Sequence, residues 1–384
     1  MADVSELSLR DDPAGWAERL GVSRAAIDLF AACEVIDLHV ESFVWSRVFG
    51  YDLGAWHRRG LPHRWWWGQV DLPRARAVGL AGAVMSIATN PLRSRAGRRA
   101  TLWRNLARLC GALAVDGVDV VADAAGYARA RSAGRLACFI AVQGGNALGP
   151  DDLGAPELDV VSRITLVHLT RSTLGSTSAP GGRGRARRPD VGAASRPVWR
   201  GRGSARAGLT DEGRRFVEAM HDRGILLDLA HAAPATFWQA LEATGAGRPV
   251  IVSHTGVRAC RPSWRNIDDQ QIRAVAARGG VVGIMFHRGF LAKPGWRAEA
   301  ADVLRHIDHV INVGGEDAAA IGSDFDGLIM PPRDLPTVRE LPRLVQHMLD
   351  RGYHPERVRK VLGTNYLRVL QAVRPETPDP RRTA

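Results

Sequence analysis

GLTDEGRRFVEAMHDRGILLDLAH, residues 208 to 231, reads as one helix feeding straight into one strand. Thr210 offers a hydroxyl cap to the acidic first turn Asp211-Glu212, and Gly224 follows the last turn. The apolar run ILLDLAH (225 to 231) then begins at once and ends on a histidine. A helix delivered directly into a short buried strand is half of a βα unit. Working outward, the unit recurs: Asp268 and Asp269 open QQIRAVAARGG ahead of GVVGIMF (280 to 286), and six further apolar runs share the pattern. They are EVIDLHVE (34 to 41), GLAGAVMSIA (79 to 88), LACFIAVQ (136 to 143), ITLVHLT (164 to 170), PVIVSHT (249 to 255) and AAAIGSDF (318 to 325). Eight strands alternating with helices predict an α/β fold, a closed (β/α)8 TIM barrel in a single domain.

The expected organisation is a helical segment over residues 1 to 33, a barrel over 34 to 372 and a disordered tail over 373 to 384. Residues 98 to 134 carry two helical patterns separated by Asp116 and Gly117, an elaboration of one barrel connection. The run from Gly181 to Gly208 holds eight Arg against the single Asp190, and its Gly, Arg, Ala and Pro content predicts a flexible basic insertion.

The chain has 384 residues, 45% of them hydrophobic, enough to bury a full core. Its net charge of +12 comes almost wholly from Arg, with Lys only at 293 and 360, a skew that favours coding bias over selection for phosphate contacts, so no nucleic-acid partner is expected. No apolar stretch approaches the ~20 residues of a membrane span, and MADVSELSLRDDPAGW is acidic where a secretory leader would be basic and then apolar. Both features lead to the expectation of a cytoplasmic protein with no membrane partner. Cys33, Cys110, Cys138 and Cys260 form no CxxC pair and read as structural thiols.

Polar residues recur at the C-terminal ends of the strands, where a barrel keeps its catalytic face. They are His39 and Glu41, Gln143, His168 within the fourth run, His231, His254 and Asp324. Imidazoles and carboxylates gathered at one mouth suit Zn²⁺ and metal-assisted hydrolysis. In Asp37-Leu38-His39-Val40-Glu41, alternation along a strand would turn His39 and Glu41 to one side. Trp65-Trp66-Trp67 reads as loop tryptophans covering the core, and Gly144-Gly145 and Gly279-Gly280 as turns, since no phosphate-loop pattern surrounds them.

The local sequences add a resemblance. DLHVE, QVDLPRARAVGLAGAVMS, QGGNALG, RITLVHLT, GLTDEGRRFVEAMHDRGILLDLAH, IVSHTGVRAC with Arg265-Asn266, IGSDFDG and LGTNYLRVL together resemble the membrane (renal-type) dipeptidase family of zinc peptidases, nearly end to end. The resemblance implies a barrel of the metal-dependent hydrolase type with two zinc ions. One would sit on His39 and the acid at 41, the other on His231 and His254, with a bridge from position 143. It further implies that His168 binds the substrate carbonyl or tetrahedral intermediate, that Arg265, with Asn266 beside it, pairs with the substrate carboxylate, and that Asp324 shuttles protons to the leaving amine. A dipeptide-like substrate and a homodimer follow from the same source.

Two positions depart from the family pattern: Glu41 stands where Asp is usual, and Gln143 where the bridging residue is glutamate. A neutral amide oxygen cannot offset the repulsion of two dications as a carboxylate does, which predicts a weakened centre holding one or two zinc ions. A lengthened Glu41 could also take over the bridge. The expected function is therefore a metallo-dipeptidase with an altered metal site. The alternatives are a relative reused for another reaction on a specialised metabolite, or an inert binder of small amides.

Overall fold

The computed structural model describes residues 7–57, 68–90, 93–170, 172–180 and 208–374. The basic insertion at 181–208 (but for Gly208), the Trp65-Trp66-Trp67 run and the tail from 375 onward lie outside the described residues. Two helices, Pro13–Leu20 and Arg24–Ala31, precede the first strand. Nine parallel strands follow among the described residues: β1 Ile36–Val40, β2 Gly82–Ala88, β3 Asp119–Val121, β4 Ala137–Gln143, β5 Val161–Thr165, β6 Leu226–Asp228, β7 Ile251–Thr255, β8 Val281–Ile284 and β9 Ala319–Ile321.

Eight of these run in the order β1-β2-β4-β5-β6-β7-β8-β9. The ring closes where Val40 bridges Phe325, with Glu41 N–H donating to the Phe325 carbonyl at 2.9 Å and Asp324 N–H to the His39 carbonyl at 3.0 Å. The closed (β/α)8 barrel read from the strand count is the observed fold.

The stretch read as two helical patterns holds an extra strand. Between the helices Arg95–Val115 and Ala124–Ser132, β3 pairs with Ala137 to Phe139 of β4, while β5 takes up β4 from Ile140 onward. Three residues, Asp-Val-Val, were too few to register as a period. The fourth run also begins earlier than its apolar pattern suggested: β5 spans Val161–Thr165, which takes in Arg163 and leaves His168 beyond the strand.

Two layers of apolar side chains account for the closure. Ile36, Leu38, Val84, Phe139, Leu226, Ile251, Val281 and Tyr366 belong to one buried cluster; Met85, Ile87, Ile140, Val142, Val252, Ile284 and the apolar faces of the helices form the larger one. The helix Asp211–Asp222 is capped by Thr210 Oγ1, which accepts from Gly213 N–H at 3.0 Å, and Asp268 forms a capping box with Gln271 before Asp269–Ala276. No helix among the described residues is long and apolar enough to cross a membrane.

Candidate metal centre

Regular strands do not by themselves aim the site residues; irregular ones do. Between Asp37 and Val40, β1 takes three steps while β2 takes two from Ala83 to Met85, a bulge that re-aims His39. Simple alternation was expected to bring His39 and Glu41 to one side, and the bulge replaces that account. β7 slips likewise between Val252 and Thr255, around Ser253 and His254, and β5 slips between Val161 and Arg163. His231 and Asp324 sit beyond strand ends with φ of 64° and 62°, a left-handed conformation uncommon for non-glycine residues and concentrated at functional sites. Gly283 and Gly322 permit this packing, since a Cβ on either would meet the Ser253 carbonyl oxygen at 2.0 or 1.9 Å.

These devices bring three imidazoles together. His231 Nε2 and His254 Nε2 stand 2.8 Å apart. His39 stacks on His254 with ring centroids 3.8 Å apart, and His168 meets His231 edge-on at 4.7 Å. His39 Nε2 faces Glu41 Oε1 at 3.4 Å and Asp324 Oδ1 at 3.7 Å. His39, His254 and Asp324 each offer a ligand atom within 4.8 Å of the others. Gln143, the last residue of β4, puts its Nε2 3.4 Å from His231 Nε2, and its Oε1 has no hydrogen-bond partner among the described residues; nor has His231 Nδ1.

Arg265 lies buried beside them and donates from Nη2 to the His254 carbonyl at 2.6 Å. Asn266 points elsewhere: its amide donates to the carbonyls of Arg261 and Phe290 at 2.7 and 2.9 Å, which ties down the loop carrying Arg265.

Burial sets the electrostatics. It holds His39, His231 and His254 well below the ordinary imidazole range, helped by the positive Arg265 and, for His39 and His254, by Arg163, so all three rings are neutral. His168 is pushed down to about 3 by the same desolvation and by Arg265. Desolvation raises Glu41 to about 7 against the opposing charges of Arg47 and Arg163. Asp324 is raised well above the usual carboxylate value by burial and by the nearby Glu41, with Arg265 opposing.

Beneath these residues lies a network the sequence reading passed over. Asp228, fully buried in β6, accepts from Ser253 Oγ at 2.6 Å, Thr165 Oγ1 at 2.6 Å, the backbone N–H groups of Ala230 and Ser253, and the Arg163 guanidinium. Arg163 is itself fully buried and donates from Nη2 to the Leu38 carbonyl at 2.7 Å and to His39 Nδ1 at 2.8 Å. Asp326 holds the near rim by accepting from the N–H groups of Gln69 and Val70 at 2.8 and 3.1 Å. A charged residue within each of two buried-strand runs, Arg163 in VSRITLV and Asp228 in ILLDLAH, was the signal of this layer in the sequence.

Comparison with known proteins gives the family and agrees with the fold. The profile of the membrane dipeptidase family, peptidase family M19, matches residues 24–379. A dipeptidase described as a metallopeptidase of family M19 is 26% identical with a TM-score of 0.73, over 89% of this chain and 98% of that one. A metallopeptidase from Rhodobacter sphaeroides, solved with a phosphinate mimic of the dipeptide L-Ala-D-Ala, is 25% identical with a TM-score of 0.71, over 89% of this chain and 99% of that one. An uncharacterized protein encoded in the pqqA 5' region of Klebsiella pneumoniae is 38% identical over 169 residues, which span 43% of this chain and 61% of that relative's length.

Proposed function

The chain belongs to the membrane dipeptidase family, peptidase family M19, and on that premise we propose that it cleaves the amide bond of a dipeptide or related small amino-acid conjugate at an altered metal centre. The observation that carries this reading is the convergence of His231 Nε2 and His254 Nε2 at 2.8 Å beside the buried Arg265. The neutral imidazoles of His231 and His254, the Asp324 carboxylate within ligand reach of His254 and His39 and the unpartnered amide oxygen of Gln143 form a donor set that fits a divalent ion such as Zn²⁺. His231, His254 and Gln143 would hold the ion on one side, with His39 and Glu41 as the family's candidates for the other. A bound Zn²⁺ supplies Lewis acidity and lowers the pKa of the attacking water to ~7.

The remaining work falls to side chains. Arg265 pairs its planar guanidinium with the substrate's terminal carboxylate, in a pocket whose burial strengthens the pair. His168, neutral and half-buried, donates an N–H to the oxyanion that forms at the scissile carbonyl. Asp324 takes the proton released by water and passes it to the departing amine; its raised affinity for that proton suits the role.

Removal of metal by a chelator abolishes dipeptide hydrolysis, and added Zn²⁺ restores it. Activity that survives chelation contradicts the reading. Gln143 favours a second one, in which the centre binds a small amide without cleaving it or performs a different reaction. Saturable binding without turnover across a dipeptide panel would decide for that alternative.

A further inference from the structure

The hydrogen bonds behind two of the three imidazoles, His254 and His39, assign their protons, and they do so in opposite senses. A histidine that ligates a metal through one nitrogen ordinarily donates its other N–H to a carboxylate, carbonyl or similar acceptor. His254 obeys this rule. Ser253 Oγ gives its only proton to Asp228 Oδ2 at 2.6 Å, so toward His254 Nδ1 at 2.8 Å it can only accept. His254 therefore carries its proton on Nδ1 and turns a bare Nε2 toward His231.

His39 is arranged in the opposite sense. Its Nδ1 lies 2.8 Å from Nη2 of Arg163, a group with five N–H donors and no acceptor. One Nη2 hydrogen goes to the Leu38 carbonyl at 2.7 Å, leaving the other for His39 Nδ1. The guanidinium cannot swing away, because its Nη1 is held by Asp228 and Thr165 and the side chain is fully buried. Ser86 Oγ stands 3.2 Å from the same nitrogen, and its hydroxyl can add a second donor. His39 Nδ1 is thus an acceptor, and the ring's proton rests on Nε2, which faces two carboxylate oxygens, Glu41 Oε1 at 3.4 Å and Asp324 Oδ1 at 3.7 Å.

We propose that Arg163 confines this chain to one metal ion: it fixes His39 as a donor through Nε2, which removes that ring from the ligand set and leaves the ion on the side of His231 and His254. The inference rests on the metallohydrolase reading and sharpens it. Three features then act together. Gln143 withdraws the bridging charge, Glu41 keeps a carboxylate that receives a hydrogen bond, and Arg163 places a fixed positive charge behind His39, where a second dication would be repelled. His39 becomes a positioning residue that orients Glu41 and Asp324.

Two measurements on the full chain test this. After loading with excess Zn²⁺ and removal of unbound metal, elemental analysis gives one zinc per chain. Two zinc ions per chain overturn the proposal and leave the hydrolase reading standing, whereas a folded chain that retains none overturns the hydrolase reading itself. The second measurement is a long-range proton–nitrogen spectrum of protein with ¹⁵N-labelled histidines, the His39 signals assigned by their loss in His39→Gln. His39 shows the Nε2–H pattern with and without zinc, and His254 the Nδ1–H pattern with an Nε2 that shifts on loading. An Nδ1–H pattern for His39, or a zinc-dependent shift of its Nε2, overturns the proposal. The double variant Arg163→Met with Gln143→Glu gains a second zinc; because loss of Arg163 strands Asp228, the spectrum of the native chain decides the matter if that variant does not fold.

Discussion

Arg265 shows how much a single side chain contributes to the site. It is buried, it anchors to the His254 carbonyl, and burial lowers its pKa to about 10 while Asp324 and Asp228 oppose that shift. Arg265→Lys keeps the charge and loses the planar fork, so a carboxylate held in two hydrogen bonds falls to one. Loss of a charge-assisted bond costs about 1.5–3 kcal/mol, and KM for a dipeptide rises on the order of tenfold or more with kcat little changed. A fall in kcat at constant KM would move Arg265 from anchoring to the chemistry. Arg265 was legible as a candidate because a family motif surrounds it. Arg163 stood out only as a charge in a strand run, and nothing in VSRITLVH says that it turns inward; the slip in register there is a property of two strands at once.

Elements carry their own signals, and some were silent. His231 and Asp324 were readable from their places after apolar runs, while the bulges at His39 and His254 were hidden because periodicity does not reveal which residue is extra. The helix Ala300–Gly314 is tied to the barrel by fully buried His306, whose Nδ1 accepts from Val257 N–H at 2.8 Å while its Nε2 lies 3.0 Å from the Leu291 carbonyl. Burial lowers its pKa from 6.5 to about 4. The unfolded chain therefore binds a proton that the folded chain refuses, so this contribution to stability is lost as pH falls from about 6.5 toward about 4 and levels off below. Each unit of separation corresponds to about 1.4 kcal/mol. His306→Gln, which keeps one donor and one acceptor, shows a smaller drop in urea midpoint between pH 7 and pH 5 than the native chain. Equal drops would remove His306 from the account.

At the scale of the whole molecule, the barrel brings residues from six strands or strand ends to one mouth, and the net charge is +12. Among the described residues, many surface arginines are paired, as in Arg99 with Asp152 at 2.6 Å, Arg131 with Glu34 at 2.9 Å and Arg135 with Asp119 at 2.8 Å. Such exposed pairs contribute ~0–1 kcal/mol each and specify little. The mouth is where a decisive test can be made, because the proposed metal site depends on His254, whose Nδ1 faces Ser253 Oγ at 2.8 Å while that hydroxyl donates to Asp228. The most direct measurement is zinc content and dipeptide hydrolysis on the same samples of native chain and His254→Ala, with circular dichroism to verify folding. The account predicts zinc and activity together in the native chain and the loss of both in a folded variant. A folded His254→Ala that keeps its zinc and its activity, or a native chain that hydrolyses dipeptides without metal, would contradict it.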